Sequence, residues 1–393
     1  AVWHSDVYSS YTRIANRHPR QTRNCKHRDT MTNPDQKFWR GRRVLVTGHT
    51  GFKGAWLCAW LEMLGADVHG FALAPEAGAN LFRDLGAWKH LTSMTGDIRD
   101  RDALEIACAA ADPDVVIHLA AQSLVRPAHR DPLGTYATNV QGTGNLLEKL
   151  STCAGLRAIL VVTSDKCYRN DNSGRPFVET DPLGGDEPYG ASKAAQETMT
   201  AGWRRGLLEN RDRAPRLATA RAGNVIGGGD WSEDRILPDL FRAIGAGQAL
   251  DVRNPAATRP WQHVLDVLAG YLRYAEALVR DKDKNLPNAL NFGPDIESAQ
   301  PVRWILERVI ETARAEGLDV KDWHHVPENG PVEAKNLALD ASLSAKTLDW
   351  RPRLSQADAA DWTARWHAQA LQGTTPRDLV EAQITAYQEL VAA

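Results

Sequence analysis

The chain has 393 residues, 43% of them hydrophobic and 24% charged, with a formal net charge of -2, which is the composition of an ordinary globular protein. So small a net charge gives no general attraction to nucleic acid or to an anionic membrane, and no apolar run approaches the ~20 residues that cross a bilayer. The five cysteines, Cys25, Cys58, Cys108, Cys153 and Cys167, stand at unpaired spacings; that argues for reduced thiols in a cytoplasmic setting and against a disulfide framework or a zinc site. No metal is expected.

The opening segment, with "YTRIANRHPRQTRNCKHRDT" at its centre, is rich in arginine, poor in acids and without an apolar period. Residues 1–38 therefore read as a disordered extension or upstream tail, with Met31 a candidate natural start and an Arg-rich targeting peptide the alternative. Folded sequence begins after it. "RVLVTG" (43–48) predicts a short buried strand and "GAWLCAWLEMLG" (54–65) a helix closed by glycine; "DVHGFAL" (67–73) predicts a second strand, and "DVVIHLAA" (114–121) a later one. "YATNVQGTGNLLEKLST" (136–152) predicts a helix and "RAILVVTS" (157–164) another strand. Near-continuous Val/Ile/Leu runs alternating with helices indicate a parallel sheet covered on both faces. After about residue 222 the alternation loosens into loops rich in Gly, Pro and Trp, with helices predicted at 235–246, 263–280, 301–316 and 355–371.

The first strand runs into "VTGHTGFKG", which places Gly48, Gly51 and Gly54 at a strand–helix junction. Glycines there let the backbone turn tightly and approach a pyrophosphate seated at the helix N-terminus. A tight turn alone would need less, but the flanking strand and long helix supply the context for dinucleotide binding. In "GDIRD" (96–100), Asp97 is placed to bond adenine or, equally, to cap a turn. The end of the second strand, "GFALAP", has neither the acid that holds a ribose 2′-hydroxyl nor an arginine for a 2′-phosphate, so this position does not choose between NAD and NADP.

Further on, "YGASK" sets Tyr189 and Lys193 four residues apart, on one face of a helix. An ammonium beside a phenol lowers the phenol's pKa and makes it a usable base. Such a spacing recurs by chance, and gains meaning from the Gly-rich loop about 140 residues before it. With "TGHTGFKG", "HLAAQ", "TSDK", "RAGNVIGGGDW" and "RPWQHVLD", the chain from Phe38 onward resembles the extended short-chain dehydrogenase/reductase family that acts on nucleotide sugars. The resemblance implies a Rossmann-type doubly wound parallel sheet, an NAD cofactor, and a homodimer or dimer of dimers. It further implies that Tyr189 takes the proton of a sugar hydroxyl and that Lys193 also binds the nicotinamide ribose. Gly48, Gly51, Phe52, Lys53 and Gly54 would hold the pyrophosphate. Asp97, Ile98, Leu119, Ala120 and Ala121 would complete the cofactor contacts.

Strand "RAILVV" ends on Ser164-Asp165-Lys166, three proton-handling groups where a buried strand should finish. In that family the simple epimerases have a small hydroxyl-bearing tripeptide here, and 4,6-dehydratases have Thr-Asp-Glu. The lysine variant resembles the dehydratase subgroup that takes CDP-glucose. By that resemblance Asp165 is the acid that helps the 6-hydroxyl leave, Lys166 the base at C5, and Ser164 an aligner of the 4-hydroxyl. Gln122, Ser123, Asn224, Arg235, Arg253 and Arg259 are the implied substrate contacts. Forked guanidinium groups suit diphosphate oxygens, and Trp231 or Trp261 could stack on the base, although most of 13 tryptophans must pack. The bland reading of Asp165 is a strand cap or a partner of Lys166.

The expected division is 1–38 as extension, 39–221 as the NAD-binding Rossmann domain, and 222–393 mainly as a smaller nucleotide-sugar-binding domain. Residues 263–293 are expected to return to the first domain. Competing readings are a nucleotide-sugar epimerase, a dehydratase for another nucleotide, and an inactive nucleotide-binding regulator; Asp165 argues against the first, and the intact Tyr189, Lys193 and Asp165 set against the last.

Overall fold

A computed structural model describes residues 33–75, 77–209, 211, 213–294, 299–326 and 337–390. Its centre is a seven-stranded, wholly parallel sheet. In chain order the strands are β1 (Arg43–Thr47), β2 (Asp67–Ala72), β3 (Leu91–Thr95), β4 (Val115–His118), β5 (Ala158–Val162), β6 (Arg216–Ala222) and β7 (Ala289–Phe292). They lie side by side as β7-β6-β5-β4-β1-β2-β3. The order reverses between β1 and β4, the switch point at which open α/β sheets bind ligands beyond the carboxyl ends of their strands.

Alternation explains why the strands read as unbroken apolar runs. Val44 and Val46 enter one buried cluster with Val115, Ile117, Leu160 and Val162, while Leu45 enters another with Val116, Ile159 and Val161. The first cluster lies under the helices Phe52–Met63, Val264–Arg280 and Pro376–Glu389; the second lies under Arg101–Ala111 and Gly142–Leu150. A third core, built on Leu237, Phe241, Ile305 and Val309, holds the later helices together. No helix among the described residues is long and apolar enough to cross a membrane.

Residues 1–32 lie outside the described residues, and with them Met31, Cys25 and most of the expected extension. Asn33 to Phe38, expected to belong to that extension, are folded instead. Asn33 Nδ2 donates to the Gln388 carbonyl at 2.9 Å and the Asp35 amide to Glu276 Oε1 at 2.8 Å. Asp35 caps the short helix Gln36–Trp39, whose Trp39 is fully buried and donates to the same Glu276 oxygen at 2.6 Å. Two adjacent apolar residues carry no period, so the anchor is invisible to pattern reading. The Pro376–Glu389 helix, expected with the substrate-binding part, packs against Phe52–Met63, with Tyr387 edge-on to Trp60 at 5.6 Å between centroids.

Candidate active site

Beyond the carboxyl end of β1 the backbone turns at Gly48, whose φ is +75°. A Cβ at Gly48 would stand 2.7 Å from the Ala120 nitrogen, and one at Gly54 only 2.2 Å from the Gly48 carbonyl oxygen. These two glycines therefore let β1, the β4 loop and the Phe52–Met63 helix close on one another. Gly51 differs: its Cβ position meets nothing nearer than 3.4 Å, it is exposed, and it starts the helix with no side-chain cap. The amides of that first turn are thus free for an anion, and the cradle fits a dinucleotide pyrophosphate.

Around the cradle, Leu119 and Ala120 donate their amides to Thr47 O (3.1 Å) and Thr47 Oγ1 (3.3 Å); Ala121 follows half-buried. Ile98 is buried against Gly142. Asp97 is engaged by Arg99, which donates from Nε to both carboxylate oxygens at 3.0 Å and holds that carboxyl below its usual range. At the end of β2, Leu73 is 61% exposed, an apolar side chain where an acid would usually hold the ribose.

The Ser164-Asp165-Lys166 stretch forms the start of a 3₁₀ turn over Asp165–Cys167 directly after β5. Ser164 Oγ caps this turn by accepting from the Lys166 amide at 3.2 Å, and it donates to Asp165 Oδ1 at 2.8 Å. Both side chains are buried, and Lys166 is half-buried. Desolvation raises the Asp165 pKa, against the pull of Ser164, Lys166 and Arg259. Gly223, after β6, leaves room for this carboxyl: a Cβ there would lie 3.1 Å from Asp165 Oδ2.

Against the turn packs the helix Pro188–Trp203, started by proline and capped by Glu187, which accepts from the Tyr189 and Gly190 amides. Gly190 permits the contact, since a Cβ would stand 2.8 Å from the Lys166 carbonyl oxygen. Tyr189 is buried; its phenol is pushed up to about 12 by desolvation, while a hydrogen bond with Ser164 pulls it down. Lys193 is buried too, and desolvation with Lys53 nearby lowers it to about 7. Its ammonium donates to Gln196 Oε1 at 2.9 Å and to Val162 O at 3.4 Å. The expected lowering of the phenol is thus not found: burial of both groups raises the phenol and lowers the lysine, which drives their proton affinities apart.

Of the expected substrate residues, Arg235 and Arg259 lie within electrostatic reach of the Tyr189 and Asp165 site. Asn224 lies between β6 and the short strand Val225–Ile226, its carbonyl accepting from the Gln262 amide. Arg235 starts the Ile236–Gly245 helix 3.7 Å from Asp230 and is electrostatically felt by Tyr189 and Lys53. Arg259, in the two-residue strand Thr258–Arg259, is felt by Asp165. Arg253 pairs with Asp234 at 3.7 Å, as does Arg126 at 3.3 Å. Gln122 is turned inward: its amide nitrogen donates to Leu124 O and Thr135 Oγ1, and its oxygen accepts from the Leu124 amide. Ser123 is exposed beside it. Trp261 is buried in the third core and Trp231 meets His367 edge-on, so both pack.

Lys53, expected at the pyrophosphate, is also felt by Asp165 and Asp230, and its pKa falls to about 8 mainly through desolvation. Other groups at the site escape sequence reading. Asp230 is buried and accepts from Ser232 Oγ at 2.7 Å. Asn139 sits in a π-helical turn, Ala137–Gln141, and donates to Ser192 Oγ at 2.9 Å. The π turn interrupts the helix expected over 136–152, and such turns have no residue signature, although they frequent functional sites.

The model of the NAD dependent epimerase/dehydratase family matches residues 44–292. The chain is 39% identical over 342 residues to the CDP-glucose 4,6-dehydratase of Salmonella typhimurium, covering 86% of this chain and 94% of that protein. Among solved structures, an epimerase of Methanothermobacter thermautotrophicus superimposes with a TM-score of 0.74 at 22% identity, covering 88% of this chain and 98% of that one. The UDP-glucose-4-epimerase of Stenotrophomonas maltophila, solved with NAD and formylated UDP-arabinopyranose, gives 0.71 at 23%, covering 85% and 100%. At those identities the two structures speak for the fold alone.

Proposed function

Because the chain belongs to the NAD dependent epimerase/dehydratase family, we propose that it is an NAD-dependent enzyme that dehydrates CDP-D-glucose to CDP-4-keto-6-deoxy-D-glucose. One observation carries the choice of dehydration over epimerisation: a buried carboxyl with a raised pKa, Asp165, hydrogen-bonded through Ser164 to the same site as Tyr189. An epimerase removes no water and has no use for an acid there.

When bound, NAD supplies the two-electron acceptor that takes the C4 hydrogen and gives it back at C6. The residues move the protons. Tyr189, as its phenolate, accepts the proton of the 4-hydroxyl while Ser164 aligns that oxygen, leaving a 4-ketone that acidifies C5–H. The neutral amine form of Lys166 takes the C5 proton, and the C6–O bond breaks as Asp165 gives its proton to the departing hydroxyl, which leaves as water. A proton then returns to C5. Asp165 is suited to this because desolvation keeps its proton at pH values where an exposed aspartate has lost it. Lys193 holds the nicotinamide ribose. Gly48, Gly51, Phe52, Lys53 and Gly54 cradle the pyrophosphate, with Asp97, Ile98 and Leu119 to Ala121 lining the remainder. Arg235, Arg253, Arg259 and Asn224 would meet the nucleotide and its diphosphate, with Gln122 and Ser123 as further substrate contacts.

The accompanying reading is a cytoplasmic homodimer or dimer of dimers, with a Rossmann part over 39–221 and 263–293 and a sugar-nucleotide part made mainly of the remaining C-terminal residues. A dehydratase for another nucleotide or a nucleotide-sugar epimerase are the alternatives. Deuterium at C4 of CDP-glucose should appear at C6 of the product with no net reduced cofactor. Label left on a stoichiometric amount of reduced cofactor would mean ordinary dehydrogenation; label kept at an inverted C4 would mean epimerisation.

A further inference from the structure

A line of buried polar side chains runs from β1 to Lys193. Thr47 Oγ1 lies 2.6 Å from His118 Nδ1, and His118 Nε2 lies 2.8 Å from Thr143 Oγ1. Thr143 Oγ1 also stands 2.8 Å from Gln196 Nε2, and Gln196 Oε1 is the 2.9 Å acceptor of the Lys193 ammonium. Thr47, His118, Thr143 and Gln196 are all fully buried, where polar groups must find partners.

The direction of every bond follows from counting protons. The Thr143 hydroxyl has one proton, which it donates to the Asn139 carbonyl at 2.8 Å. Its two lone pairs are left to accept, so both His118 Nε2 and Gln196 Nε2 must be donors toward it. Desolvation, which holds His118 down to about 3, keeps the ring neutral, so Nδ1 is the acceptor and takes the Thr47 hydroxyl proton. With its NH₂ committed to Thr143, the Gln196 amide has one orientation, carbonyl toward Lys193.

We infer that Gln196 is a positioning residue for the oxidation step: its carbonyl, locked by Thr143 and His118, aims the Lys193 ammonium and sets the proton balance of the Tyr189–Lys193 pair. This rests on the reading of Tyr189 and Lys193 as the pair that handles the 4-hydroxyl. The charged and titratable groups felt by Lys193 are Glu197 on its own helix, Lys53 on the Phe52–Met63 helix, Cys167 in the 3₁₀ turn and His118 on β4, with Tyr189 one turn before it in the same helix. Of these, Lys53 disfavours the ammonium and Glu197 favours it. Its direct hydrogen-bond acceptors among the described residues are two carbonyls, Gln196 at 2.9 Å and Val162 at 3.4 Å, so the Gln196 carbonyl is its nearest support.

The test uses the full chain with NAD and CDP-glucose, comparing wild type with Gln196→Met, Gln196→Glu and Thr143→Val. A hydrogen bond to a charged group is worth enough to move a pKa by about one unit. Gln196→Met removes the acceptor, disfavours the ammonium and should move the acid limb of kcat about one pH unit lower. Its maximal kcat should fall about tenfold with KM for CDP-glucose unchanged. Gln196→Glu adds a negative charge beside the ammonium and should move the same limb upward. Thr143→Val frees the amide to turn and should resemble Gln196→Met. In the cofactor-free protein, NMR of lysine labelled at Cε, with the signal assigned by its loss in Lys193→Arg, should show the Lys193 titration moving in the same two directions. Coincident limbs and coincident Lys193 titrations in all folded variants would overturn the inference. A wild type that makes no 4-keto product would overturn the proposed function instead, and the NMR titration would still judge Gln196.

Discussion

Burial acts on Asp165 and Lys193 in opposite chemical directions for one reason: each is held in its neutral form more readily than water would allow. For Asp165 that is the proton-bearing form the elimination needs. Asp165→Asn keeps the volume and the bond from Ser164 but has no acidic proton. Its rate of 4-keto-6-deoxy product formation should therefore fall by ~10²–10⁴-fold, with NAD affinity, read by fluorescence titration, unchanged. A normal rate would remove Asp165 from the chemistry. At this scale the sequence displayed the tripeptide, the glycine turn and the Tyr189/Lys193 spacing, because each is a local pattern with a local cause. It hid Gln196, Thr143 and His118, which come from a helix, another helix and a strand far apart in the chain and meet only when the sheet is built. It also hid that burial is the largest influence on both Tyr189 and Lys193, since desolvation depends on everything packed around a group.

Elements were legible in proportion to how regularly they repeat. Strands β1, β4 and β5 announced themselves through Val/Ile/Leu runs because both faces of a parallel sheet are covered. The helices 264–280 and 356–371 announced themselves through long apolar stripes. Short or bent elements did not. The Gln36–Trp39 helix has one turn, yet Trp39 is fully enclosed and its indole donates to Glu276, a buried acid whose pKa desolvation raises. Removing that side chain leaves a large cavity and takes from the Glu276 carboxyl the indole donor, with the Asp35 amide remaining. Trp39→Ala should cost about 3–5 kcal/mol in urea denaturation, with the substrate KM unaltered in the protein that remains folded. A loss below about 1 kcal/mol would mean that this first turn only rests on the body.

Across the whole molecule, Asp266 joins segments distant in sequence. It is fully buried near the start of the Val264–Arg280 helix and accepts from the Arg353 amide at 2.7 Å and from the Tyr387 hydroxyl at 2.8 Å. Arg353 in turn donates to Asn33 Oδ1 at 2.6 Å, so the first and last described segments meet at this one helix. Desolvation raises Asp266 to about 7, against about 3.9 in an unfolded chain. The folded state therefore binds the extra proton between about pH 4 and 7. Its contribution to stability is fully present below about pH 4 and is lost as pH rises through 7. Four buried histidines act the other way. His118, His263 and His367 are lowered to about 3 and His49 to about 4, each chiefly by desolvation. Their contribution is present above about pH 6.5 and lost as pH falls toward 4. The two trends partly cancel in the wild type, so its stability curve alone assigns neither. Asp266→Asn removes only the first. Subtracting the variant's urea-unfolding free energy from the wild type's, at steps from pH 5 to 8, should give a difference that falls by about 1.4 kcal/mol per unit up to pH 7 and then levels. A difference flat across that range would mean that Asp266 is ionised in the folded protein, with the Tyr387 hydroxyl and the Arg353 amide sufficing to hold its charge.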